Sequence, residues 1–282
     1  MTLRERLAQL TRKLAPVSDS PRLEAELLLA EVLGKPRSWL MAWPEHPLEQ
    51  TALDQIQTLL DQRLEGRPLA HVLGRREFWS LELGCDARAL VPRPDTETLV
   101  EWALELPLPP HARVLDLGTG SGAIALALAS ERPDWQITAT DIDPDSLALA
   151  HENAARLNLE HVAFRHGGWF EAVAGEPAWN LICSNPPYIA EDDPHLLREG
   201  LPFEPRHALV SGPEGLDDLK MISAEAPRHL TPGGWLLLEH GHEQGPAVRQ
   251  LLQGGGFVEV QTRTDLAGLE RVSGGRLPDA AA

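Results

Sequence analysis

Apolar residues recur at helical spacing at the start of the chain. Leu3, Leu7, Leu10 and Leu14 fall on one face, and Pro16 stops that helix. Ser20 and Pro21 predict the next start, with Ser20 as N-cap and Pro21 at the first helical position. Leu23, Leu27, Leu28 and Leu29 carry this helix to Gly34, a residue suited to a left-handed stop. A short piece with Trp39, Leu40 and Trp43 follows, closed by Pro44 and Pro47. Leu53, Ile56, Leu59, Leu60 and Leu64 mark another helix, which Gly66-Arg67-Pro68 ends. Residues 1–74 thus read as a small all-helical bundle whose leucine stripes form its core.

The period then changes. Glu77-Phe78-Trp79-Ser80-Leu81-Glu82-Leu83 alternates weakly before Gly84, and Ala89-Leu90-Val91 follows. This predicts a β-hairpin within 71–92, assigned as a linker over 75–92. Pro92-Arg93-Pro94 fixes an extended turn, and Asp95 or Thr96 would cap a helix through Leu99, Val100, Trp102 and Leu104. From residue 113 strand and helix patterns alternate. Strands fall near 113–117, 136–140, 162–166, 180–184 and 234–239, and helices near 121–131, 144–157 and 216–230. Such alternation predicts an α/β fold on a mainly parallel sheet with right-handed crossovers. Gly254-Gly255-Gly256 leads into a strand at 257–261, and a last strand lies near Glu270-Arg271-Val272. The second domain spans 93–273, and a disordered tail is expected over 274–282.

The chemistry-bearing residues cluster in three stretches. Val114-Leu115-Asp116-Leu117 runs into Gly118-Thr119-Gly120-Ser121-Gly122 and then a small-residue helix: strand, tight turn, helix. Glycines there let backbone approach a ligand closely, and Asp116 sits at the carboxyl end of the strand, where open α/β sheets bind ligands. The second stretch, Trp135 to Asp141, ends in an acid 19 residues after Gly122. An acid so placed accepts both hydroxyls of a ribose, and no basic residue lies close by to welcome a ribose phosphate. The third, Asn185-Pro186-Pro187-Tyr188, directly follows the apolar run Leu181-Ile182-Cys183.

Together these stretches resemble an S-adenosylmethionine-dependent methyltransferase acting on an amino or amide nitrogen. With Val91-Pro92-Arg93-Pro94-Asp95-Thr96-Glu97 upstream, the chain resembles the peptide chain release factor glutamine methyltransferases from about residue 20 to about residue 273. The resemblance implies a Rossmann-like methyltransferase fold with antiparallel C-terminal strands and a helical domain that helps recognise the protein substrate. It implies S-adenosyl-L-methionine as cofactor and, as target, the glutamine of the Gly-Gly-Gln loop of release factors. Cofactor contacts would come from Asp116, Gly118, Thr119, Gly120, Ser121, Gly122, Asp141, Trp169 and Asn185. Asn185, Pro186, Pro187 and Tyr188 would bind the substrate, with Asn185, Pro186 and Tyr188 catalytic. Trp169 has a second reading as a plain core aromatic, and Gly167-Gly168 stand where many relatives carry an acid for the adenine amino group. The family usually has Glu at position 95, where this chain has Asp.

Composition narrows the alternatives. Net charge is -17, and all of it lies beyond residue 75: residues 1–75 carry 10 Lys+Arg and 10 Asp+Glu, and the remainder 15 and 32. That disfavours direct nucleic-acid binding, and with it the rival reading as an adenine N6-methyltransferase that would present the same Asn-Pro-Pro-Tyr acceptors. A non-catalytic binding module is a second rival. No apolar run reaches membrane-spanning length, and Cys85 and Cys183 have neither metal-ligand nor disulfide spacing, so a cytoplasmic protein is expected; a monomer is expected as well. His240-Gly241-His242 offers two imidazoles and no third ligand, so no metal is expected.

Overall fold

Thr2 opens the first helix with a reciprocal cap: its hydroxyl accepts from Glu5 N–H, and the Glu5 carboxylate accepts from Thr2 N–H. The computed structural model describes residues 1–197 and 200–280. It divides into two units, one comprising Met1–Arg75 with Leu197–Phe203 and the other the remaining residues. The first unit holds α1 (Leu3–Leu14), α2 (Pro21–Leu33), α3 (Arg37–Ala42), α4 (Gln50–Leu64) and α5 (Leu69–Leu73). Its core takes most of the leucines that the helical spacing predicted, with Leu10, Leu14, Leu28, Leu29, Ile56 and Leu60 fully buried, whereas Leu23 and Leu64 are exposed. Gly34 takes the left-handed conformation that ends α2, whereas the Ser20 side chain makes no cap hydrogen bond. Phe203 belongs to this unit and lies over Gly66, where a side chain would crowd its ring.

The hairpin is shorter than the sequence suggested: β1 (Arg75–Phe78) and β2 (Leu81–Gly84). Trp79 and Ser80 both have positive φ, the geometry of a two-residue turn whose twist matches the strands. Residues 71–73 finish α5, and 85–93 form no strand. Ala89-Leu90-Val91 is held instead by a carboxylate, because Val91 N–H donates to Glu204 Oε2 at 2.9 Å.

The second unit continues with α6 (Glu97–Glu105), β3 (Arg113–Leu117), α7 (Ala123–Glu131), β4 (Gln136–Asp141), α8 (Pro144–Leu157), β5 (Ala163–His166) and β6 (Trp179–Ser184). It ends with α9 (Asp217–Glu225), β7 (Leu230–Glu239), α10 (Gly245–Gly254), β8 (Val258–Thr264) and β9 (Glu270–Arg276). The seven strands lie in the order β5-β4-β3-β6-β7-β9-β8. All pairings are parallel except the two that β9 makes. Successive strand residues face opposite sides: Val114, Leu181 and Leu237 pack with α6, α7 and α8, while Leu115, Ile182 and Leu238 pack with α9 and α10. The result is a three-layer α/β sandwich.

Two further elements depart from the sequence reading. Helix α10 was missed because Gly245-Pro246 and Gly254 bracket it and only Val248 and Leu252 bury large side chains. Strand β9 runs to Arg276, three residues into the stretch assigned to a disordered tail, and Gly274 fits there because a side chain would strike Leu237 and Trp102. The last two residues of that stretch, 281 and 282, lie outside the described residues.

Candidate active site

The sheet order puts β3 at the point where the chain reverses its direction of travel, with β4 on one side and β6 on the other. Leu117 pairs with Ser184, whose hydroxyl donates to the Leu117 carbonyl at 2.7 Å. The next residues, Gly118 and Asn185, therefore leave the sheet side by side. This is how two motifs separated by almost seventy positions meet at one cavity of about 300 Å³.

The glycine turn is braced by two acids. Asp116 is fully buried; its Oδ2 accepts from the Thr119 hydroxyl at 2.6 Å and from Ala125 N–H at 3.2 Å, while Oδ1 has no partner. Burial pushes its carboxyl up to about 7, against the pull of those donors. Asp141 ends β4 and lines the cavity. Its oxygens accept from Gly120 N–H at 2.8 Å and Asp143 N–H at 2.9 Å, and burial raises its pKa. Gly118, Gly120 and Gly122 all have positive φ, which an L side chain rarely adopts. Gly118 additionally lies under the Trp169 ring, and Gly122 makes room for Leu126 and Ala150.

The Asn-Pro-Pro-Tyr loop is tied down on all sides. Asn185 Nδ2 donates to Thr96 Oγ1 at 3.2 Å. Thr96 stands at the start of α6 but caps nothing, so the capping role read from the sequence gives way to this contact. Tyr188 is turned inward, its hydroxyl donating to Glu239 Oε1 at 3.3 Å, and burial lifts its phenol above the usual range. The Tyr188 carbonyl accepts from Gln244 Nε2 at 3.0 Å, and Gly215 leaves the space that this carbonyl needs. Glu204, buried, receives both Val91 N–H and the Arg93 guanidinium, clasping the loop after Phe203 to the Pro92-Arg93-Pro94 turn.

Gly118, Thr119, Gly120, Ser121, Asp141, Trp169, Asn185 and Pro187 line the cavity together. Asp116, Gly122, Pro186 and Tyr188 do not line it; they sit behind it or pack beside it. Sequence reasoning missed Ile142, which lines the cavity while 64% exposed, and Ser146 and Ala208. An apolar residue directly after a strand-ending acid was the available signal for Ile142. His240 is buried and bonded to Ser273 Oγ at 2.8 Å, whereas His242 is exposed, so the two imidazoles serve no common site.

The cavity fits a cofactor with a cationic amino-acid end and a nucleoside. In its lining Asp141 suits a pair of hydroxyls and Ile142 with Trp169 a flat ring, and behind the glycine turn Asp116 adds a buried, unpartnered oxygen suited to a cation. Fold and site define an S-adenosylmethionine-dependent methyltransferase. The fold is shared with a methyltransferase from Pyrococcus furiosus (TM-score 0.54, 18% identity, 80% of this chain and 99% of that one). It is shared also with the hMettl16 catalytic domain (TM-score 0.58, 16% identity, 76% of this chain and 83% of that one). The family model for the PrmC N-terminal domain matches residues 5–74, and that for the methyltransferase small domain residues 95–200. A release factor glutamine methyltransferase from Vibrio cholerae is 50% identical over 259 residues, 92% of this chain and 91% of its own length. Those from Xylella fastidiosa and Pseudomonas aeruginosa are each 51% identical, over 91% and 93% of this chain and 94% of their own lengths. The chain belongs to the release factor glutamine methyltransferase family.

Proposed function

We propose that this chain methylates the side-chain amide nitrogen of the Gly-Gly-Gln glutamine in peptide chain release factors, with Asn185 as the residue most needed for turnover. When bound, S-adenosylmethionine supplies an electrophilic methyl group on a sulfonium. The residues that would hold it are Asp116 at the ammonium, the glycine turn along the chain, Asp141 at the ribose and Trp169 with Ile142 at the adenine. An amide nitrogen is a poor nucleophile because its lone pair is delocalised into the carbonyl. Acceptors for its two N–H groups favour a lone pair aimed at the methyl carbon, and fixed acceptors avoid reorganisation during reaction.

Asn185 Oδ1 and the Pro186 carbonyl are those acceptors in this reading. The observation that carries it is the Asn185 amide: its Nδ2 is engaged by Thr96, leaving Oδ1 for a donor at the cavity. The helical unit over 1–74 would recognise the body of the protein substrate, and a monomer suffices because one chain supplies every residue named.

The test is methyl transfer from labelled S-adenosylmethionine to a purified release factor, beside the same factor with its Gly-Gly-Gln glutamine changed to alanine. Label on the first and none on the second is expected, and Asn185→Ala should lower kcat at least ~100-fold with the fold intact. Label on neither factor, with cofactor bound, would overturn the reading.

A further inference from the structure

One charged side chain in the cavity wall has no task in the chemistry described so far. Arg93 stands between two prolines, and a residue before proline is kept out of the helical region. Its backbone is extended accordingly, with φ -93° and ψ 141°. Its Nη2 donates to Glu204 Oε1 at 2.5 Å. The Glu204 side chain is fully buried, and its other oxygen accepts from Val91 N–H, so this carboxylate is a fixed post for the guanidinium. The Arg93 side chain is 34% exposed and lines the cavity. A guanidinium has five N–H donors, and among the described residues Glu204 is the one acceptor that this guanidinium meets. Donors therefore remain for a ligand.

A primary amide presents two N–H donors and one carbonyl acceptor in a single plane. Asn185 Oδ1 and the Pro186 carbonyl take the two N–H groups in the reading above, and nothing named so far meets the carbonyl oxygen. Other donors of the cavity wall are committed. The Thr119 hydroxyl donates to Asp116, that of Ser146 to the Arg88 carbonyl, and Asn185 Nδ2 to Thr96. His207 faces Asp143, and Trp169 covers Gly118. Arg93 stands beside the acceptors: Thr96 N–H donates to the Arg93 carbonyl at 3.1 Å, and the Thr96 hydroxyl holds the Asn185 amide. We propose that Arg93 binds the substrate, its guanidinium donating to the side-chain carbonyl oxygen of the target glutamine while Glu204 holds its other end. The inference rests on the role given to Asn185 above.

Reading the amide from both sides fixes which atom faces the methyl group. Acceptors alone would hold any NH₂ group. A donor at the carbonyl sets the amide plane and leaves one orientation. It also makes the site selective, because an alkylamine lacks the oxygen that Arg93 meets, and a carboxylate would set an oxygen against Asn185 Oδ1. The Glu204 carboxylate has a second effect. A bare cation at the carbonyl would draw the nitrogen lone pair further from the methyl group, and the opposite charge on the same guanidinium offsets that pull.

A binding cycle separates this role from a structural one. Arg93→Met keeps the length of the side chain and removes its donors. Binding is read by calorimetry with S-adenosylhomocysteine present, so that no turnover occurs. Arg93→Met should bind a release factor ~10- to 100-fold more weakly than the parent chain does, the scale of a hydrogen bond to a charged group. It should bind the factor whose Gly-Gly-Gln glutamine is changed to alanine within about threefold of the parent, because that factor has no side-chain carbonyl to lose. A residue that only shapes the loop would weaken both factors alike. Arg93→Lys keeps the charge without the planar fork and should still lose at least ~5-fold toward the glutamine factor. The affinity of both variants for S-adenosylhomocysteine alone should move less than about threefold. In turnover, the KM of Arg93→Met for the release factor should rise as its affinity falls, with kcat within about threefold, since the bond is made before and during methyl transfer. Equal weakening of both factors, parental affinity of Arg93→Met for the glutamine factor, or parental affinity of Arg93→Lys overturns the proposal while leaving Asn185 in place. Full activity of Asn185→Ala would instead remove the reading on which it rests.

Discussion

Asp116 is a carboxylate that folding strands among apolar neighbours. An unfolded aspartate titrates near about 3.9, and burial lifts this one to about 7. Between those values the folded chain keeps a proton that the unfolded chain has lost, so stability falls as pH rises across the window. In the role proposed above, a bound ammonium would reverse the cost by partnering Oδ1, the atom left without a donor. Asp116→Asn should therefore gain in thermal midpoint relative to the parent chain as pH goes from 5 to 8 without cofactor. At pH 8 it should bind S-adenosylmethionine ~10- to 100-fold more weakly by calorimetry, the scale of a charge-assisted hydrogen bond. At this scale the sequence was legible for residues whose chemistry is local. Asp116, Asp141 and the glycines declare themselves by strand, turn and spacing. Thr96 reads locally as a helix cap, and only the family resemblance sets its turn near the Asn-Pro-Pro-Tyr loop, where its partner Asn185 is 89 positions away.

At the level of elements, the turn between β3 and α7 shows three glycines with three different reasons. Gly120 has open space toward Ala89 and needs only its positive φ. Gly118 needs the room that the Trp169 ring takes. Gly122 both has positive φ and seats α7 against Leu126 and Ala150. Gly122→Ala should thus cost about 2–4 kcal/mol of stability in urea unfolding, from backbone strain plus overpacking. Gly120→Ala should cost about 1 kcal/mol and act mainly on cofactor affinity. Spacing in the sequence located this turn but could not sort its glycines, since what distinguishes them is the helix or ring that the fold brings overhead. Helix α10 was hidden for a related reason: glycines and a proline bracket it, and its short apolar face is covered only once the sheet is in place.

On the scale of the whole chain, charge is segregated. The net -17 lies entirely beyond residue 75, in the part that carries the cavity. Such a surface repels a polyanion, whose binding relies on cations placed against phosphates. No binding of a 20-base-pair duplex DNA is expected below about 100 μM protein at 150 mM salt by fluorescence anisotropy, and no methyl transfer to it. The division into a helical part and an α/β part was legible from the change of hydrophobic period near residue 75. The exchange of Leu197–Phe203 into the helical unit was not, because nothing in that stretch marks which core it joins.

The reversed strand β9 sets the order in which the enzyme can be completed. Running against its neighbours, it brings its first residues to the catalytic end of the sheet: the Arg271 carbonyl accepts His240 N–H at 2.9 Å, and the Arg271 guanidinium pairs with Asp95 beside Thr96. A site whose glycine turn spans 118–122 is thus closed by Arg271, about 150 positions further along the chain. During translation the nascent chain carries the glycine turn long before it carries Arg271, so the Asp95 turn stays unbraced until β9 has been made.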